Sequence, residues 1–196
     1  MTENPAPKKW FSKSNIGNVL FFAAILTILF VPGARSLVTR GLMAVGFFQP
    51  KTEQAVKLTA VPDVAFNDAT GRSVNLSSLK GKVVFINFWA TWCPPCLAEL
   101  PSIDALHQKL SANPGIVFLM VDVDNQLNKS MPFIKDHGYN LPVYGVASDI
   151  PSELVGQSIP TTVVIDKKGE MVFHHEGVAD YSGDKFEQYL LKLESQ

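Results

Sequence analysis

The stretch Val83-Val84-Phe85-Ile86-Asn87-Phe88-Trp89-Ala90-Thr91-Trp92-Cys93-Pro94-Pro95-Cys96-Leu97-Ala98-Glu99-Leu100-Pro101 decides how this chain is read. Its first seven residues are β-branched or aromatic except for Asn87, the pattern of a central strand buried on both faces. Ala90-Thr91-Trp92 is a short loop, and a helix is predicted from Cys93 to about Leu110. A helix beginning there places the first sulfur at the positive end of the macrodipole, among unpaired backbone N–H groups that lower a thiol pKa. Cys96 then lies one turn away on the same face. Thiol–disulfide exchange needs one ionisable sulfur and a second to resolve the mixed disulfide. Cys93 is therefore predicted to be the exposed attacking thiol and Cys96 the buried resolving one. They are the only two cysteines. A bridge across so short a loop adds little stability through chain entropy, so redox chemistry is the better reason for the pair.

The residues around the pair refine this reading. Pro94 and Pro95 fit a first helical turn, where a missing N–H breaks no helix bond. They also remove two donors to a Cys93 thiolate, which predicts a reducing rather than strongly oxidising poise. Glu99 falls one turn past Cys96. A desolvated carboxyl beneath the disulfide has a raised pKa and can exchange a proton with Cys96; the competing reading is a solvent-facing helix glutamate. Pro101 is predicted to kink the helix. Trp92 is predicted to shield the disulfide and offer an apolar contact, and Trp89 to be core.

Outward from this stretch, strands and helices alternate. Pro62 to Asn75 reads as a hairpin around Asn67-Asp68-Ala69-Thr70-Gly71, followed by a helical turn at Leu76–Leu79. Ile116 to Val123 is a second buried strand, and roughly Gln126 to His137 a helix. Leu141 to Tyr144 is extended, and Ser152 to Val155 a helical turn. Thr161 to Ile165 and Glu170 to Glu176 form an antiparallel pair across Asp166-Lys167-Lys168-Gly169. Asp180 or Ser182 is predicted to cap a last helix ending near Leu193. The sum is an α/β domain over residues 60–196, with a mixed central sheet flanked by helices.

The amino-terminal part has a different character. Residues 1–40 hold five Lys or Arg against one Asp or Glu, although the whole chain carries a net charge of −1. Residues 14–35 contain no internal charge, and 22 residues at about 1.5 Å each reach roughly 33 Å, enough to cross a bilayer. They read as a transmembrane anchor. A cleaved signal peptide is the alternative, and Val31-Pro32-Gly33-Ala34-Arg35 puts proline where such a site needs a small residue. Residues 1–13 read as a cytoplasmic tail and 36–59 as an interfacial segment and tether. Lys8, Lys9 and Lys13 favour an N-terminus inside and a catalytic domain facing the periplasm, from the inner membrane.

Composition excludes other classes. At 46% hydrophobic and 18% charged, with 13 Gly and 13 Pro, the chain is neither collagen-like nor mainly disordered. The near-neutral charge gives no basic surface for nucleic acid. His107, His137, His174 and His175 have no metal-site spacing and read as surface or packing residues. Asp122 and Asp124, at a strand end, read as a solvated turn.

From Phe85 to Cys96, and on through Glu99-Leu100-Pro101, the chain resembles the TlpA/ResA family of membrane-anchored thioredoxin-like thiol–disulfide oxidoreductases. Ile159-Pro160-Thr161-Thr162 matches that family's cis-proline loop. The resemblance implies a thioredoxin-like fold with an N-terminal β-hairpin and a central strand–helix insert within 116–145. It implies that Pro160 is cis and packs on the redox pair, and that the Ile159 backbone pairs with a bound client chain. Trp92, Pro94, Pro95, Ile159 and Pro160 thus form the expected client surface, with Cys93, Cys96 and Glu99 carrying the chemistry. Asn87 stands where thioredoxin has a buried aspartate, and the family's helix acid matches Glu99. No cofactor is implied beyond the redox-active Cys93–Cys96 disulfide. The implied partners are disulfide-containing exported proteins, apocytochrome c in cytochrome c maturation among them, and a membrane thiol reductase of the CcdA/DsbD kind as electron donor.

Two rival readings exist. Pro62 to Phe88 also resembles the start of the AhpC/peroxiredoxin group. That chemistry wants a Pro-x-x-x-Thr-x-x-Cys pattern and a supporting Arg, yet the pattern is missing and no Arg follows Arg72. A Sco-like copper carrier would use both thiolates and a histidine, and no evident histidine ligand stands nearby in sequence.

Overall fold

The computed structural model describes residues 13–31, 41, 49–50 and 60–196. The predicted tail falls outside them save for its last residue, as do 32–35 of the anchor and almost all of the interfacial segment and tether. Helix α1 (Lys13–Phe30) has 18 residues, roughly 27 Å at the standard rise. Among the described residues no helix is long and apolar enough to cross a membrane.

The rest is one seven-stranded sheet covered on both faces. A hairpin of β1 (Ala65–Asn67) and β2 (Ser73–Asn75) leads into the 3₁₀ turn Leu76–Leu79. Asp68 closes the hairpin turn, its carboxylate accepting from the Thr70 and Arg72 N–H groups at 2.8 and 3.0 Å. Then follow β3 (Val83–Trp89), α2 (Pro94–Leu110), β4 (Ile116–Asp122), α3 (Leu127–Asp136) and β5 (Val143–Val146). The chain ends with α4 (Ser152–Val155), β6 (Thr161–Ile165), β7 (Met171–Glu176) and α5 (Asp184–Glu194). The spatial order is β2-β1-β5-β4-β3-β6-β7. β3 and β5 run parallel to β4, and the remaining pairs are antiparallel.

All seven residues of β3 are buried, as the unbroken apolar run requires of a strand with layers on both sides. Phe85 and Trp89 face a core completed by Leu100, Ile103 and Leu106 of α2 and Phe186 and Leu190 of α5. Val84, Ile86 and Phe88 face the other way, onto Val64, Phe66, Leu76 and Leu154. β3 therefore runs through the middle of the domain and delivers its C-terminal end to the surface where α2 begins.

Helix boundaries depart from the sequence reading in two places. Cys93 is the extended N-cap of α2 rather than its first helical residue, because a sulfur acceptor at the cap takes an N–H that the helix itself leaves unused. Gly183, not Asp180 or Ser182, precedes α5. The Asp180 carboxylate instead closes its own turn by accepting from the Ser182 N–H at 2.9 Å and the Ser182 hydroxyl at 2.6 Å. Helix α2 continues through Pro101 to Leu110.

Candidate active site

Cys93 and Cys96 are joined as a disulfide at the start of α2. The Cys93 sulfur accepts from the Cys96 N–H at 3.3 Å. Pro94 and Pro95 occupy the first two helical positions and have no N–H to offer. The sulfur therefore meets one backbone donor where an ordinary helix start would supply more. The predicted exposure of Cys93 is corrected: it is 3% exposed and Cys96 fully buried. The reason lies in the loop opposite, where the Ile159 carbonyl oxygen comes within 3.8 Å of the Cys93 sulfur. The Ile159–Pro160 bond in that loop is cis.

A buried polar group lies beside the pair. Glu99, in the second turn of α2, is fully buried. Its carboxyl accepts from the Asn87 side-chain amide at 2.7 Å and from the Ala179 N–H at 3.2 Å. The same Asn87 nitrogen donates to the Thr162 hydroxyl at 2.9 Å, and these two residues are cross-strand partners on β3 and β6. Burial raises the Glu99 pKa to about 8, and the two donors only partly offset that shift. The Tyr181 phenol is also buried, and desolvation, with the Glu99 charge as a second cause, pushes its pKa well up. Among the described residues the buried Asn87 carbonyl oxygen has no hydrogen-bond partner. The solvent-facing alternative for Glu99 is thereby ruled out: it sits in the wall between helix and sheet.

The sequence reading of the Asp-x-Asp turn is corrected as well. Asp122 is 2% exposed. Its two carboxylate oxygens accept from the Asp124 and Gln126 N–H groups, each at 3.0 Å. A buried carboxylate is held there because it satisfies the backbone donors that turn away from β4. Asp124 in turn accepts from the Trp92 indole N–H, while Trp92 itself is 64% exposed. Trp92 therefore stands at the rim, latched by a residue thirty-two positions later. Trp89 is core, as read.

The histidines do not join the site's polar contacts. His107 meets Phe118 edge-on, with ring centroids 5.0 Å apart, and His137 stacks on Phe133 at 4.0 Å. Among the described residues no three His, Cys, Asp or Glu side chains gather where they could hold a metal ion. Arg72 lies in the hairpin turn, paired with Asp68 at 3.1 Å. The sequence reading does not assign Thr162, Tyr181, Ala179 or Asp122 to the polar network around the site. Each reaches the site from a strand end or loop remote from Cys93, and only Thr162, within the cis-proline motif, carries a local hint.

A family model described as Redoxin matches residues 57–190. The chain belongs to the redoxin family. Its similarity to thiol–disulfide oxidoreductase ResA of Bacillus thuringiensis (strain Al Hakam) is 32% identity over 152 residues, covering 76% of this chain and 84% of that protein. ResA of Geobacillus kaustophilus is 37% identical over 127 residues, covering 64% of this chain and 71% of the relative. Among solved structures, a thiol:disulfide interchange protein, thioredoxin family protein, from Chlorobium tepidum TLS superposes with a TM-score of 0.59. It is 27% identical, and the match covers 71% of this chain and 98% of the other. Within the redoxins, the protein falls in the TlpA/ResA group of thiol–disulfide oxidoreductases with a thioredoxin-like fold.

Proposed function

We propose that this redoxin reduces disulfides of exported proteins from a membrane-anchored position, with Cys93 as nucleophile, Cys96 as resolving thiol and Glu99 as proton carrier. The observation that carries the reading is a fully buried carboxyl one turn past Cys96, with its pKa raised to about 8. A group titrating there is matched to a thiol and can exchange protons with it near neutral pH.

In the reduced enzyme the Cys93 thiolate attacks one sulfur of a client disulfide. The client S–S bond breaks, and its second sulfur leaves as a thiolate. Cys96 then gives its proton to the Glu99 carboxylate and attacks the Cys93 sulfur. The enzyme disulfide forms, and the first client sulfur departs. Two electrons pass to the client, whose thiolates take up two protons, one of them available from Glu99. Regeneration needs an external two-electron donor, for which a membrane thiol reductase of the CcdA/DsbD kind is the candidate. The single N–H reaching the Cys93 sulfur supports a reducing poise, since fewer donors stabilise the thiolate less. A potential near the −120 mV or so of strong oxidants would contradict it.

The anchor is supported by the uncharged stretch from residue 14 to 34 and by exposure of consecutive large side chains on α1, Val19, Leu20, Phe21 and Phe22. A helix apolar on every side finds its cover in lipid. Release of the full chain from membranes by alkaline carbonate would count against it. Apocytochrome c is one client class compatible with this chemistry. Trapping with Cys96→Ser tests the whole reading: the stalled mixed disulfide at Cys93 should hold exported, cysteine-containing proteins. Recovery of cytoplasmic proteins alone, or of no adduct, would refute it.

A further inference from the structure

Glu176, the last residue of β7, pairs across the ladder with Thr161, immediately after the cis bond. Its carboxylate accepts from the Gln157 N–H at 3.1 Å and from the Ser158 hydroxyl at 3.2 Å. The chain passes closely beneath it at Gly156, which adopts φ +69°. A Cβ there would lie 2.6 Å from the Glu176 carboxyl carbon. Two more bonds hold the same loop. The Gly177 N–H donates to the Pro160 carbonyl at 2.8 Å, and the Thr161 hydroxyl donates to the Ser158 carbonyl at 2.5 Å.

The pattern is selective. Residues 157, 158 and 160 are tied to their own protein. The N–H and C=O of Ile159 between them take no backbone hydrogen bond among the described residues, and that carbonyl sits 3.8 Å from the Cys93 sulfur. A loop held on both sides of one open residue is a short, pre-set edge for an incoming strand. Holding it in advance removes an ordering cost from client binding.

We infer that Glu176 is a positioning residue for client capture: its carboxylate presets loop 157–160 so that Ile159 can pair with the extended chain around a client disulfide. This rests on the client reading above and adds to it a residue outside the redox motif. Charge-assisted bonds of this kind are stronger than neutral ones, so Glu176→Gln, which keeps one acceptor oxygen, should retain part of the effect.

The test uses the full chain, kept reduced by dithiothreitol whose direct reaction with each disulfide is subtracted, with insulin as the protein disulfide and 5,5′-dithiobis(2-nitrobenzoate) as a small disulfide that offers no strand to pair. With Glu176→Ala, KM for insulin should rise about tenfold, the size of one or two loop groups' ordering, with kcat nearly kept. The loss with insulin should exceed that with the small disulfide by the same factor, and Glu176→Gln should fall between. If Glu176→Ala does not fold, Glu176→Gln carries the test with a KM rise of about threefold. Equal losses on both disulfides, or a KM unmoved in every folded variant, would overturn the inference while leaving the client reading standing. Wild-type enzyme that reacts with the small disulfide but never turns over insulin would overturn both.

Discussion

The two faces of one sheet are built for different ends. On the face covered by 61–64, the 3₁₀ turn and α4, the strands present Val84, Ile86, Phe88, Leu119, Val121, Val163 and Ile165, and Thr161 is the one buried polar side chain among their neighbours. On the other face, the same strands place Asn87, Thr162 and Asp122 among Phe85, Trp89 and Met120, under a helix that adds Cys96 and Glu99. Register explains the split, because side chains alternate and cross-strand partners share a side. Asn87 faces Thr162, and Trp89 pairs with Asp122. One face supplies stability through packed hydrocarbon. The other accepts buried polar groups, of which the Asn87 carbonyl oxygen has no partner among the described residues, at a cost that an apolar replacement would avoid. Such a cost is retained where the groups do chemistry.

The largest effect should come from Glu99→Gln. The amide keeps the shape but cannot take the Cys96 proton, so decay of the mixed disulfide should slow by about 10²- to 10⁴-fold, the usual worth of a placed acid–base group. Stopped-flow resolution of a preformed adduct measures it, and a slowing of less than threefold would remove Glu99 from the mechanism. The opposite face should give the mirror image. Phe88→Ala opens a cavity in a fully buried site and should cost about 3–5 kcal/mol by chemical denaturation. Alkylation of the reduced Cys93 should stay at the wild-type rate. Stability and thiol reactivity falling together would break the separation of the faces.

What the sequence shows and what it hides follow the same divide. The run from Val83 to Trp89 is legible because a strand buried on both faces has no polar alternation to disguise it. The cap and first turn of α2 are legible because proline and cysteine act locally. Asp122 misled, since Asp-x-Asp after a strand is ordinarily a wet turn. Only the fold shows that the Asp124 and Gln126 N–H groups close over it. Nothing near Cys93 in sequence signals its burial, because its cover, the Ile159 loop, comes from sixty-six residues later. Contacts of that span leave no periodicity to read.

The pH dependence of stability should separate the faces more gently. Burial lifts Glu99 from an ordinary 4.5 to about 8 in the folded protein. Between those values the unfolded chain has released the proton while the folded one still holds it. Stability from this group is therefore fully present below about pH 4.5, declines as pH rises towards about 8, and is level beyond. At about 1.4 kcal/mol per unit the decline amounts to about 5 kcal/mol at most. Subtracting the Glu99→Gln curve, which lacks this titration, isolates it. A difference curve flat from pH 5 to 8 would mean that the carboxyl is ionised where it sits.

The smallest effect belongs to the rim, where the two faces no longer matter and solvent competes. Trp92 is held by the Asp124 carboxylate, and Asp124 by the buried Asp122. The outer bond is exposed, so Asp124→Ala should cost about 0.5–1.5 kcal/mol and leave thiol resolution at its wild-type rate. It frees the indole to change rotamer, which should shift Trp92 fluorescence and raise its anisotropy decay rate. Asp122→Asn strikes the inner bonds and should cost more, because a neutral acceptor replaces a charged one facing two backbone donors. The order of the two losses is the informative result. If the exposed latch mattered more to stability than the buried brace, burial would not be what sets the worth of polar contacts at this end of the sheet.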